Sequence, residues 1–157
     1  MKQYKFFHQL ENMCLASCLQ SILDARGFSV SSQEKISRQF DIGKKGVDIN
    51  EVVLNRFLNQ YNLASRFVRP SENLIEPDIF IRDISSNADV LVFYDLARIH
   101  SRGQNTGHFS LLAGFIEGRE KEVYLHDNLS GKIEQVSLPD LINSMRTFRN
   151  SGFYLIS

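Results

Sequence analysis

At 157 residues the chain is long enough to bury a substantial core and short enough to read as one domain over 1–157. Its 18 basic and 18 acidic residues cancel, so charge makes no case for nucleic acid or an anionic membrane surface as partner. Two cysteines exclude a disulfide framework, no apolar run reaches the roughly 18 residues of a membrane span, and "MKQYKFFHQL" has no signal-like apolar region, so a reducing, cytoplasmic-type compartment is expected.

The first predicted element lies in "HQLENMCLASCLQSIL", residues 8–23, which carries both cysteines four residues apart. The spacing of Leu15, Leu19, Ile22 and Leu23 predicts a helix from Asn12 or Met13 to Ala25, closed at Gly27. Cys18 falls in register with that apolar stripe and reads as a small core hydrophobe. Cys14 falls in the first turn, where the positive end of the helix dipole and unpaired N–H groups favour a thiolate. It is therefore the candidate nucleophile, with a second packed thiol as the alternative. Gln9, just ahead of the helix, is a candidate amide donor toward a developing oxyanion. Next, "SSQE" at 31–34 is a capping-box signature, with Ser31 three residues before Glu34, and "DIGKKG" at 41–46 breaks the helix it starts. A third helix is predicted from Asp48, with Glu51 at the box position and Ile49, Val52, Val53, Phe57 and Tyr61 on one face.

The period then changes. "ASRFVRP" alternates weakly, and "DIFIRDISS" fits helix or strand equally. "DVLVFYD" at 89–95 is a buried strand by its β-branched and aromatic content. "HFSLLAGF" and "EVYLHD" flank the turn-like "IEGREK" as a hairpin, and "KIEQV" is a further strand. "SLPDLINSMR" is a short helix with Ser137 as N-cap and Pro139 in its first turn, and "GFYLIS" is a last strand. Helices first and an antiparallel sheet second make the fold class α+β.

Of the four histidines (His8, His100, His108 and His126), His108 stands at the junction between the polar loop "HSRGQNTG" and an apolar strand. Such a position can open to a cleft and still be held rigidly, with a partly buried strand histidine as the alternative. If an even number of residues closes the hairpin, opposing positions sum to an odd number, and His108 and Asp127 project from one face. A carboxylate there would fix the imidazole tautomer and stabilise its charged form. An odd closure puts His126 or Asn128 on that face instead, and Asn128 would give a Cys-His-Asn set.

The order Gln, Cys, His, Asp, with the cysteine at the start of an N-terminal helix, is that of papain-like enzymes. More narrowly, the chain resembles the C39-like cysteine peptidases, the group that includes leader-cleaving domains of bacteriocin exporters. "CLASCLQSIL" resembles that family's Cys-Gly-x-Ala-x-Leu-x-x-Ile-Leu helix, and "GHFSLLAGF" its Gly-His-Phe-x-Val-Leu strand. "VYLHDNLSGKIEQVSLPDL" is similar to its segment with Asp-Pro, Gly and a following short helix. The resemblance implies a papain-like fold with N-terminal helices packed on a C-terminal antiparallel sheet. It further implies Cys14 as nucleophile, His108 as base, Asp127 as orienter and Gln9 as oxyanion residue, with no cofactor or metal and a peptide or protein substrate. Leu15 stands where the family has glycine, Met13 where aspartate is frequent and Asn128 where it has proline. Gln9 lies one residue closer to Cys14 than the family spacing, which His8 keeps. No transporter or nucleotide-binding segment follows, so a leader-peptide substrate is not expected.

The leading reading is a cysteine hydrolase that forms an acyl-enzyme and cleaves peptide bonds. Glutamine deamidation and acyl transfer to an amine share its first half-reaction and are the alternatives on the same triad. A catalytically silent peptide-binding member is a reading of another class, and thiol reactivity separates it from the enzyme. Metal binding by Cys14, Cys18 and a histidine lacks the second close ligand pair that such sites use.

Overall fold

Residues 1–40, 49–70, 88–101, 104–116 and 121–157 are described by the computed structural model. Helix α1 (Cys14–Ala25) begins where the apolar stripe begins and ends at Gly27, whose φ of 77° suits glycine and whose N–H returns to Asp24 O at 2.9 Å. Every residue from Leu15 to Leu23 is buried. One side packs on the sheet, and the polar remainder bonds to other segments: Gln20 Nε2 donates to Ser31 O (2.8 Å) and Ser21 Oγ to Lys5 O (2.9 Å).

Helix α2 (Gln33–Gln39) is capped by Ser32, whose Oγ accepts from Lys35 N, and not by Ser31, whose carbonyl is held by Gln20. The breaker "DIGKKG" and Asp48 lie outside the described residues. Helix α3 (Glu51–Leu58) starts after the expected position, because Asn50 caps it by accepting from Val53 N at 3.0 Å. The Glu51 carboxylate accepts from Phe67 N at 2.6 Å and ties α3 to the first strand. Leu54, Phe57 and Leu58 form the buried stripe, and Val52, expected in it, is 70% exposed.

Six strands among the described residues form one antiparallel sheet: β1 (Ser65–Val68), β2 (Asp89–Asp95), β3 (Gly107–Phe115), β4 (Glu122–Asp127), β5 (Lys132–Ser137) and β6 (Gly152–Ile156). Their spatial order is β1-β6-β2-β3-β4-β5. The ambiguous "DIFIRDISS" lies outside the described residues. Strand β2 is buried at every position because cores press on both its faces. Leu91 and Phe93 join Leu15, Leu19 and Ile22 of α1, whereas Val90, Val92 and Tyr94 join Leu141 of helix α5 (Leu138–Ser144) on the other face. An unbroken apolar run is what a strand covered on both sides needs. Ser137 caps α5 as expected. The short helix α4 (Leu96–His100) was not expected; Asp95 starts it by accepting from Ala97 N at 3.1 Å.

The β3–β4 hairpin settles the parity question in two steps. At the turn end Phe115 faces Val123 and Gly114 faces Tyr124, so an odd number of residues closes the hairpin. A bulge at Ala113 then shifts the register, and beyond it Leu112 faces Leu125 and Leu111 faces His126. Asp127 therefore lies opposite Ser110, on the face of His108. The even closure assumed from the sequence is incorrect, and the bulge restores its consequence.

Candidate active site

Cys14 is the first residue of α1 and is half-buried. Met13, at the N-cap, gives α1 no side-chain hydrogen bond, so the thiol stands at a helix end whose leading N–H groups no cap side chain takes. Asn12 supplies the sharp entry: its φ of 59° is left-handed, a conformation asparagine tolerates. Leu15 is 1% exposed in the core, which accounts for a large apolar side chain where the resembling family has glycine.

His108 begins β3 behind Gly107 and is 3% exposed. Glycine precedes it in a tight place, since a Cβ at 107 would stand 2.9 Å from the Phe93 ring and displace it. The imidazole engages Asp127 Oδ1 through Nε2 at 2.6 Å and shares the cleft with Cys14. With Nε2 engaged by the carboxylate, Nδ1 is the ring nitrogen left for the thiol. Burial disfavours the imidazolium, yet the hydrogen bonds to Asp127 and Cys14 and their negative charge outweigh it and push His108 up to about 9. Asp127 is 2% exposed, and burial alone would raise it. The hydrogen bond and charge of His108, with help from Ser130, instead hold its carboxyl well below the usual range. Ser130 N donates to Oδ2 at 2.9 Å and Leu129 N to Oδ1 at 3.2 Å, so the tight turn after β4 cradles the carboxylate.

Two further residues, not singled out in the sequence, complete this face. Ser110 Oγ donates to Asp127 Oδ1 at 3.4 Å, and the Tyr94 hydroxyl lies 3.1 Å from Ser110 Oγ. Because the serine proton goes to the carboxylate, Tyr94 is the donor in the second bond. The Tyr94 ring also meets the imidazole edge-on at 5.7 Å. Their signal was faint: a serine two positions along an apolar strand from His108, and a tyrosine at the end of the neighbouring one.

Asn128, the alternative orienter, does not serve His108. It comes one residue after Asp127 and so turns to the opposite face, with His126. There its Oδ1 accepts from Phe7 N (3.0 Å) and its Nδ2 donates to Ser21 Oγ of α1 (3.1 Å). Of the other histidines, His8 is exposed, His100 pairs with Glu134 at 3.6 Å, and His126 is buried beneath the stacked ring of Phe6. Cys18 is fully buried, donates to Phe109 O at 3.4 Å, and has its thiol pushed up by burial. It lies on the core side, as its register implies. Among the described residues no cluster of three or more His, Cys, Asp or Glu side chains could hold a metal ion.

Cys14 and His108 open into a cleft of about 360 Å³ whose walls include Gln9, Asn105, Leu129 and Phe148. Gln9 reaches this cleft despite its shortened spacing, and His8 does not line it.

Helices on an antiparallel sheet, with a cysteine heading the first helix beside a strand histidine, define an α+β fold of the papain-like class. Solved structures narrow this to the fold of C39 peptidase domains. The peptidase domain of Streptococcus ComA, a bifunctional ABC transporter of a quorum-sensing pathway, superposes with a TM-score of 0.66 at 14% identity, over 99% of this chain and 97% of that one. The N-terminal peptidase C39-like domain of a toxin secretion ATP-binding protein from Vibrio parahaemolyticus gives 0.55 at 14% identity, over 95% and 98%. No family model and no curated protein sequence matches the chain. No helix among the described residues is long and apolar enough to cross a membrane.

Proposed function

We propose that the chain is a thiol peptidase acting as one unit over 1–157, with Cys14 as nucleophile, His108 as acid and base, Asp127 as orienter and Gln9 as oxyanion donor. The observation that carries this reading is the His108 imidazole, paired through Nε2 with the buried Asp127 carboxylate at 2.6 Å and facing the same cleft as Cys14. In the first half-reaction the Cys14 thiolate attacks a carbonyl carbon, the C–N bond breaks, and the imidazolium gives its proton to the departing amine. In the second, His108 takes a proton from water, hydroxide adds to the thioester, and the thiolate leaves. Apart from Cys14 and His108, the described residues that line the cleft carry no ionisable side chain. The reading takes a peptide or protein as the substrate. A reducing, cytoplasmic-type compartment suits it, since the nucleophile must remain a free thiol.

The test is acyl-enzyme trapping. The full chain, incubated with p-nitrophenyl acetate near neutral pH and digested, should carry an acetyl group on the Cys14 fragment, and Cys14→Ala should carry none. Acetylation of Cys18 alone, or of no cysteine, would overturn the proposal and leave a peptide-binding module in first place. Adding hydroxylamine or a lysine amide then separates hydrolysis from transfer by the mass of the released product.

A further inference from the structure

Gln9 belongs to an extended strap, the first ten residues, that crosses the sheet and α1. Lys2 N donates to Ala113 O at 2.6 Å, the Tyr4 hydroxyl to Asp89 Oδ1 at 2.8 Å, and Phe6 stacks on His126 with centroids 3.8 Å apart. The pinning is densest around Gln9 itself, and two buried carboxamides supply it. Gln33, the first residue of α2, uses both ends of its side chain on the strap: Oε1 accepts from Leu10 N (3.0 Å) and Nε2 donates to His8 O (2.8 Å). Asn128 holds the preceding turn of chain. Its Oδ1 accepts from Phe7 N, and its backbone carbonyl accepts from Gln9 N at 3.4 Å. Its Nδ2 fixes the assembly to Ser21 on α1, the helix that carries Cys14.

The carboxamide between these two is used differently. Gln9 Oε1 is buried with no hydrogen-bond partner among the described residues, at the wall of the cleft that contains Cys14 and His108. An amide has nearly two-fold shape, so a half-turn of its last torsion puts Nε2 where Oε1 lies. A carboxamide at the cleft wall, on a backbone held from both sides, can present its Nε2 to charge that develops only in the transition state. Such a donor works only if it is already in place.

The geometry points to Gln33 and Asn128 as positioning residues that hold Gln9 as the oxyanion donor of this cleft. This rests on the function proposed above and adds to it: neither residue touches substrate, and both act through Gln9. Asn128 stands where the resembling family has a proline, which has neither a side-chain acceptor for the strap nor a donor for α1.

The experiment compares two reactions of Cys14 in the full chain. Iodoacetamide alkylates the thiol by displacement at a CH₂ and forms no oxyanion, whereas p-nitrophenyl acetate acylates it through one. Gln9→Ala should slow acylation about 10²-fold and leave alkylation within about two-fold of the wild type. Gln33→Met removes both strap bonds at similar volume and should slow acylation roughly 10-fold, also with alkylation unchanged. The decisive comparison is the double variant: in the Gln9→Ala background, Gln33→Met should slow acylation no further. Should Gln33→Met fail to fold, Gln33→Glu, which keeps the acceptor for Leu10 N and loses the donor to His8 O, takes its place with the same pattern expected. Equal slowing of alkylation and acylation, an additive double variant, or no effect of either Gln33 substitution would each overturn the positioning role while leaving the peptidase standing. A wild-type Cys14 that alkylates but never acylates would instead remove the proposed function, and the positioning role with it.

Discussion

Asp127 sets the pH at which His108 can work, because its buried carboxylate has the imidazolium as partner 2.6 Å away. His108 is raised from 6.5 to about 9, so its contribution to stability is fully present below 6.5 and is lost as pH climbs through about 9. Asp127 is lowered from 3.8, so its contribution is present above that value and is lost as pH falls below it. The same charge carries the proposed activity: above about 9 no proton remains for the leaving amine. Asp127→Asn removes the negative partner and should move the alkaline limb of the kcat/KM profile from near 9 toward neutrality, with activity at pH 7 down by ~10²–10⁴-fold. A pH–rate profile with an unmoved alkaline limb would separate the two groups. Cys14, His108 and Asp127 were legible because each sits at an unusual place for its type: a thiol at a helix start, an imidazole at a loop–strand junction, a carboxylate at a turn. Ser110, Tyr94 and Gln33 were not, because a serine or tyrosine in a strand and a glutamine in a helix are ordinary wherever they occur. Only the tertiary partner makes them specific.

At the scale of elements, local chemistry gave most of the types and erred on starts and registers. Ser31 and Ser32 are equally good caps on paper, and the choice fell to Ser32 because Gln20 of another helix holds the Ser31 carbonyl. The hairpin closure went wrong in parity because a bulge leaves no clear mark in "HFSLLAGF"; only pairing across two strands reveals the extra residue at Ala113. Helix α4 was hidden in the segment after "DVLVFYD", where Asp95 acts as both strand end and cap. Asp95 Oδ1 also accepts from Thr106 N at 2.9 Å, so this one carboxylate shapes the loop that returns to β3. Gly107 follows directly, in a place where Phe93 stacks between Phe109 (4.4 Å) and Phe148 (5.7 Å). Gly107→Ala must push the Phe93 ring out of that stack, which should cost about 1–3 kcal/mol and shift the strand that carries His108. Chemical denaturation would show a lower midpoint at unchanged slope, and Cys14 acylation should fall along with it.

The whole molecule separates holding the site together from holding the chain together, along the length of β2. At one end Asp95 pairs with Gly107 beside the cleft; at the other, Asp89 pairs with Ile156. Seven residues of strand put these ends about 20 Å apart. Asp89 is 8% exposed and joins four segments: it accepts from Tyr4 of the strap and from Arg26 Nε at the end of α1 (2.6 Å), Lys2 Nζ lies 3.4 Å away, and Arg26 also donates to Ile156 O of β6. Asp89→Asn keeps an acceptor for one neighbour and withdraws the charge that two cations face. Arg26 remains only partly exposed, so the loss exceeds that of a surface pair and falls short of a fully buried one, about 2 kcal/mol. For a chain of this size that is a fall in Tm of roughly 4–8 °C. At 25 °C, where the folded state still dominates, Cys14 should acylate at the wild-type rate, since neither the cleft walls nor the strap around Gln9 touch Asp89. Thermal unfolding and acylation measured on one preparation decide the matter. A lower acylation rate with an unchanged melting curve would mean that the strap transmits strain along its length, and that the cleft is not independent of the far end of β2.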